Sequence, residues 1–159
     1  MVAIVGWRPN SNNPIKAGVR LRCLNPMQEL VTKGYPIELY NRKHIDNYHV
    51  IILQAWSCFG TSSDQPSPEV FLSEIKALKS RKNVKIILDN CDNQFFNSKQ
   101  HKLWNKWLAI LKELISISDE FVFSAQPLAE VFRQYIPPEK TIHIIGDAVE
   151  RSNRIPSDS

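Results

Sequence analysis

Apolar residues along the chain fall into short consecutive runs, separated by stretches in which they recur at helical spacing. The runs are Val2–Val5, Ile37–Tyr40, Val50–Leu53, Val84–Leu88, Phe121–Phe123 and Ile142–Ile145, and they read as six strands. Several are apolar at successive positions rather than alternating, the pattern of strands covered on both faces of a parallel sheet. Between the third and fourth runs, Ser67-Pro68 is an N-cap followed by proline at the first helical position, and Phe71, Leu72, Ile75 and Leu78 continue a crossover helix. Leu103, Trp104, Trp107, Leu108, Leu111 and Ile115 mark a longer amphipathic helix. A shorter one carries Leu128, Val131, Phe132 and Tyr135 and stops at Pro137-Pro138. This alternation predicts an α/β fold: a Rossmann-like, doubly wound, mainly parallel six-stranded sheet with helices on both faces.

Two stretches are irregular. Pro26 interrupts the apolar positions Val19, Leu21, Leu24, Met27, Leu30 and Val31. Either it kinks a helix begun near Ala17, or Asn25 caps a new helix with Gln28 completing a capping box; Gly34 ends it in both cases. The connection from Asn41 to Tyr48 is shorter than a parallel crossover usually takes, so the second and third strands join through one helical turn or run antiparallel. Residues 1–150 read as one domain, and 151–159 as a polar tail or the start of an interdomain linker.

With 159 residues, 43% hydrophobic and 23% charged, the chain can bury one sizeable core. A formal net charge of +4 permits an anionic ligand but falls short of a nucleic-acid footprint. Cys23, Cys58 and Cys91 are odd in number and lack CxxC spacing, which argues against a disulfide framework or structural zinc and fits the cytoplasm. Met1 to Gly6 carries no positive charge and no apolar run approaches membrane-spanning length, so neither a signal peptide nor a transmembrane helix is expected.

In open α/β sheets, ligands bind beyond the carboxyl ends of the strands, where strand order reverses. With an order of 3-2-1-4-5-6 that crevice lies between the first and fourth strands, where two segments face each other. Gly6 to Arg22 holds Arg8, Lys16, Arg20 and Arg22, with no acidic residue before Glu29. Arginine forks and backbone N–H groups there suit a phosphate or carboxylate. A solvated basic loop is the rival reading for Arg8 and Lys16, and a structural ion pair to the Asp89 region for Arg20 and Arg22. The second segment is Asp89-Asn90-Cys91-Asp92-Asn93. Its two carboxylates can supply a base for a hydroxyl acceptor or bond a polyol, or they merely cap the turn. No set of metal ligands at proper spacing accompanies them.

Motifs for dinucleotide, P-loop, zinc-protease and hydrolase chemistry are missing from the sequence. Lys99, Lys102, Lys106 and Lys112 lie near Trp104 and Trp107 on the helix expected from Ser98 to Ile117. That stripe reads as core packing with snorkelling lysines or as a peripheral contact with an anionic bilayer.

Gly18-Val19-Arg20-Leu21-Arg22, Tyr48 to Gln54, Lys85 to Asn93 and Ile144 to Glu150 together resemble the amino-terminal half of GT-B glycosyltransferases related to family 4. The resemblance implies an acceptor-side Rossmann-like domain that works with a carboxy-terminal donor domain, in cis or in trans. The complete enzyme would move a sugar from a nucleotide-sugar donor to a saccharide or lipid hydroxyl, without a metal or other cofactor, in the cytoplasm or at the inner face of the membrane. Gly6, Arg20, Arg22 and Asn93 would contact substrate or phosphate, and Asp92 with Asp89 would position or deprotonate the acceptor. The chain alone is expected to be inactive. A non-catalytic half-enzyme that binds a carbohydrate or a partner protein is the rival reading.

Overall fold

A computed structural model describes residues 3–11, 13–55, 57, 66–96 and 102–147. It contains a six-stranded, all-parallel sheet of Rossmann-like, doubly wound character, in the order β2-β1-β3-β4-β5-β6. The strands are β1 (Val5–Arg8), β2 (Ile37–Leu39), β3 (Val50–Gln54), β4 (Lys85–Asn90), β5 (Glu120–Phe123) and β6 (Thr141–Ile144). Helices are α1 (Ala17–Val19), which runs through a π-helical stretch (Arg20–Leu24) into α2 (Asn25–Thr32), then α3 (Pro68–Lys82), α4 (Trp104–Ile117) and α5 (Gln126–Arg133). The tail 151–159, the segment 148–150, Asn12 and Cys58 lie outside the described residues.

Strand order corrects the expectation of 3-2-1-4-5-6. Order reverses between β1 and β3, not between the first and fourth strands. The reason lies in the strands themselves. Ile51 and Leu53 of β3 are fully buried and require neighbours on both sides, whereas β2 is three residues long, half exposed and carries Glu38, which suits an edge. Because β2 is so short, the return path is short too, and the 3-10 helix Arg42–Asn47 completes the parallel crossover.

The first strand also starts later than the run Val2–Val5 predicts. Val5 pairs with Ile37 and Val50, and the ladder continues through Gly6, Trp7 and Arg8. Gly6 therefore lies within a strand rather than in a loop. A Cβ there would sit 2.9 Å from the Tyr48 ring. That ring cannot easily yield, because its hydroxyl donates to Glu38 Oε1 at 2.7 Å and accepts from the Asn41 N–H at 2.8 Å.

Pro26 is accommodated inside one helical run. The Asn25 N–H bonds to the Arg20 carbonyl, five residues back, so the π-helical turn just upstream absorbs the proline. Gly34, at φ 86°, ends the run, and the Tyr35 N–H closes onto the Leu30 carbonyl at 3.1 Å. Ser67 caps α3 as expected, accepting from the Val70 N–H.

Alternation along the strands divides the sheet into two faces. Ile51, Leu53, Ile86, Leu88, Phe121 and Phe123 join Phe71, Ile75, Leu111, Ile115 and Phe132 of α3, α4 and α5 in one buried cluster. On the opposite face, Trp7, Ile52, Ile87 and Val122 meet Leu21, Pro26 and Leu30 of the helical run 17–32. In α4, Lys106 pairs with Glu69 at 2.5 Å and Lys112 sits 5.5 Å from the Tyr135 ring centre.

At the amino edge, Asp119 accepts the Ile86 N–H at 2.9 Å and pairs with Lys79 and Lys140. Burial opposes its charge, but that backbone bond and the two lysines hold its carboxyl below the ordinary value. Its contribution is therefore present above the unfolded value near pH 4 and is lost as pH falls through the folded value. Asp119→Asn should cost about 1 kcal/mol at neutral pH, and urea titrations should show the gap from wild type closing on acidification. Gly6→Ala should cost about 1–3 kcal/mol by overpacking against Tyr48. An unchanged urea midpoint would show that the ring gives way.

Candidate functional site

Segments distant in sequence meet at the carboxyl edge of the sheet. The π-helical turn points Arg22 at β4, where its Nε donates to the two oxygens of Asp89 at 3.2 and 3.1 Å and its Nη2 bonds the same carboxylate. Nη1 donates to the Ile145 carbonyl at 3.1 Å and to Asp147 Oδ1 at 2.8 Å. Every guanidinium nitrogen is thus engaged. The side chains of Arg22 and Asp89 are 5% and 4% exposed, whereas that of Asp147 is 53% exposed. Burial works against the Arg22 charge, but the bonds and charges of Asp89 and then Asp147 outweigh it and raise its pKa. Burial also holds the Asp89 carboxyl above its ordinary value, with Arg22 pulling it down. The guanidinium bonds both Asp89 oxygens and so opposes that rise.

Gln54, at the end of β3, fixes the loop that follows β1. Its Oε1 accepts the Asn10 N–H at 2.9 Å, and its Nε2 donates to the Gly18 carbonyl at 2.8 Å. The amide is 1% exposed and fills the position where strand order reverses. Gln54, Asp147 and the group Lys85, Glu120 and His143 were not singled out by sequence reasoning. A polar residue closing the apolar run Val50–Leu53 was the available signal for Gln54.

The basic residues separate. Arg22 forms the ion pair to Asp89. Arg8 turns to the other sheet face, 6% exposed, where it lies 3.9 Å from the Phe71 ring centre and donates to the Ser57 carbonyl at 3.1 Å. Arg20, first residue of the π-helical stretch, donates back to the Ile15 carbonyl in the preceding loop, and Lys16 is exposed at the start of α1. Asn13 makes the local turn, accepting from the Ile15 N–H at 2.9 Å. Gly6 lies under Tyr48, inside β1.

The acidic pair separates as well. Asp89 is buried at the end of β4, while Asp92 is exposed in the turn beyond it and receives the Cys91 thiol at 3.6 Å. Asn93 accepts the Phe95 N–H at 3.1 Å and shapes that turn. Burial first, and then Asp92, push the Cys91 thiol up to about 12, which leaves it protonated and unreactive at neutral pH. Cys23 is fully buried, and its thiol is likewise pushed up to about 12.

Beside the Arg22 cluster runs a groove of about 480 Å³ along the sheet face that carries the helical run 17–32. Its floor is apolar, with Trp7, Ile52, Ile87 and Val122, and its wall is Leu21, Pro26 and Leu30. Arg22 and Asp89 border it on one side, and Glu120, bonded to Lys85 at 2.6 Å and His143 at 3.1 Å, on another. The Trp7 indole nitrogen is buried without a hydrogen-bond partner. Such a groove, mostly apolar with a few polar groups at its borders, has the size and lining of a small-molecule site.

Among the described residues no group of three or more His, Cys, Asp or Glu could hold a metal ion, and no helix is long and apolar enough to cross a membrane. Comparison with protein-family models and with curated proteins finds no match for the chain.

Removing Asp89 strands the buried Arg22 charge, leaving it the Ile145 carbonyl and the half-exposed Asp147 among the described residues. Asp89→Ala should therefore cost about 3 kcal/mol or more, against less than about 1 kcal/mol for Asp147→Asn. Chemical denaturation of the two variants measures the difference.

Proposed function

We propose that the chain is the acceptor-side domain of a GT-B-like glycosyltransferase related to family 4. It would hold the saccharide or lipid hydroxyl that receives a sugar from a nucleotide-sugar donor. The supporting observation is the convergence through Arg22: the separate segments that carry the resemblance, around Arg22, Asp89 and Asp147, form one bonded cluster at the carboxyl edge. A donor-binding domain, in the same polypeptide or a separate one, completes the site.

In this reading the two carboxylates divide the work. Asp92, exposed in the turn after β4, orients the acceptor hydroxyl and takes its proton as the oxygen attacks the anomeric carbon. The bond from that carbon to the diphosphate breaks, and its electron pair leaves with the diphosphate. Arg20, on the loop side, supplies positive charge for the leaving group. Asp89 is a positioning residue, because its oxygens are committed to Arg22. Arg22, with two carboxylates around it, offers little net charge to a phosphate. The rival reading, a carbohydrate- or partner-binding module without catalysis, draws its support from the apolar groove.

Titration of isotope-labelled protein with saccharides and lipid-linked sugars, followed by NMR, tests the proposal. Saturable shifts are expected at Asp92 and Asn93, with affinity at least tenfold weaker in Asp92→Asn. Shifts confined to Ile87, Val122 and their neighbours would favour the binding module. No response anywhere would contradict the acceptor-domain reading and leave, of the rival, the partner-binding form.

A further inference from the structure

A second cavity, of about 620 Å³, opens at the carboxyl ends of β1 and β2, lined by Arg8, Leu39, Tyr40, Asn41, Arg42 and Lys43. Pro66, ahead of α3, completes its lining, which does not include Asp92 or the Arg22 cluster. Three of these side chains are cationic. Arg8 is held in a built seat, 6% exposed, with its guanidinium 3.9 Å from the Phe71 ring centre and 5.4 Å from that of Tyr40. Arg42 is ion-paired with Glu74 at two points, its Nε donating to Oε2 at 3.0 Å and its Nη2 bonding Oε1, so part of its charge is met within the protein. Lys43 is exposed at the start of the 3-10 helix. Tyr40, whose ring forms part of the wall, carries a buried hydroxyl oxygen with no hydrogen-bond partner. Burial first, with Glu74 opposing the pull of Arg8 and Arg42, pushes that hydroxyl up to about 12, so it remains a donor at neutral pH.

We propose that this cavity binds a phosphomonoester carried on a sugar-sized body. A phosphate dianion matches the positive charge left on this wall by Arg8, Lys43 and Arg42 once Glu74 is set against it. An acceptor admitted beside Tyr40 gains a bond that the free protein lacks. The volume exceeds that of a bare phosphate and falls in the range of small-molecule sites, with Leu39 and the Tyr40 ring as surfaces for carbon atoms. The inference is independent of the glycosyltransferase reading, and either can fail without the other.

The test is titration of the full, isotope-labelled chain with inorganic phosphate, ribose 5-phosphate and ribose at constant ionic strength, followed by NMR. Saturable shifts centred on Tyr40 to Lys43 are expected for the two phosphates, tighter for ribose 5-phosphate, and none for ribose. Arg42→Gln should weaken ribose 5-phosphate at least tenfold and the exposed Lys43→Gln at least threefold. Tyr40→Phe should weaken it while leaving Tm unchanged or higher, since it removes a buried hydroxyl without a partner. Absence of saturable shifts at these residues, affinities in the variants equal to wild type, or sulfate and chloride acting as strongly as phosphate would each overturn the proposal.

Discussion

The ion pair between Arg22 and Asp89 is the constraint on which the carboxyl edge of this protein depends. A buried charge pair is tolerable only when its remaining hydrogen-bonding capacity is met. Here the Ile145 carbonyl and Asp147 meet it, so one guanidinium joins the helical run after β1 to the end of β4 and the segment after β6. The π-helical turn belongs to the same arrangement. It absorbs Pro26 and carries Arg22 on the side of the helix that faces the sheet. Helix irregularity, proline and ion pair are parts of one local solution.

That solution sorts the polar residues near the edge. Asp89 and Arg22 hold the scaffold, Gln54 closes the point where strand order reverses, and Asp92 remains exposed in the turn beyond β4. A base for a hydroxyl group has to be accessible and supported by rigid neighbours. Asp92 meets the first condition itself and draws the second from its neighbour three residues back in the chain. The apolar groove alongside and the basic cavity near β2 extend the polar edge in opposite directions across the sheet.

The fold class was legible because buried parallel strands leave consecutive apolar runs, and five of the six strands lie within about a residue or two of those runs. The exception, β1, contains Gly6 and Arg8, residues that local preference assigns to loops. Gly6 is required there by Tyr48, forty-two residues away in sequence, and Arg8 by the rings of Phe71 and Tyr40. Strand order was not legible for a related reason. It follows from which strand can tolerate an edge, a property of the assembled sheet. At the site, the pairing of Arg22 with the Asp89 region was readable as one of two alternatives, whereas the contribution of Asp147 and the bridge made by Gln54 depend on contacts that no local pattern announces.

The most direct test of this account is a double-mutant cycle between Arg22 and Asp89, using Arg22→Met, Asp89→Leu and the double variant in chemical denaturation. The account predicts a coupling energy of about 2 kcal/mol or more, with the double variant more stable than either single one. Additive effects, with coupling below about 0.5 kcal/mol, would contradict the claim that this pair holds the carboxyl edge together.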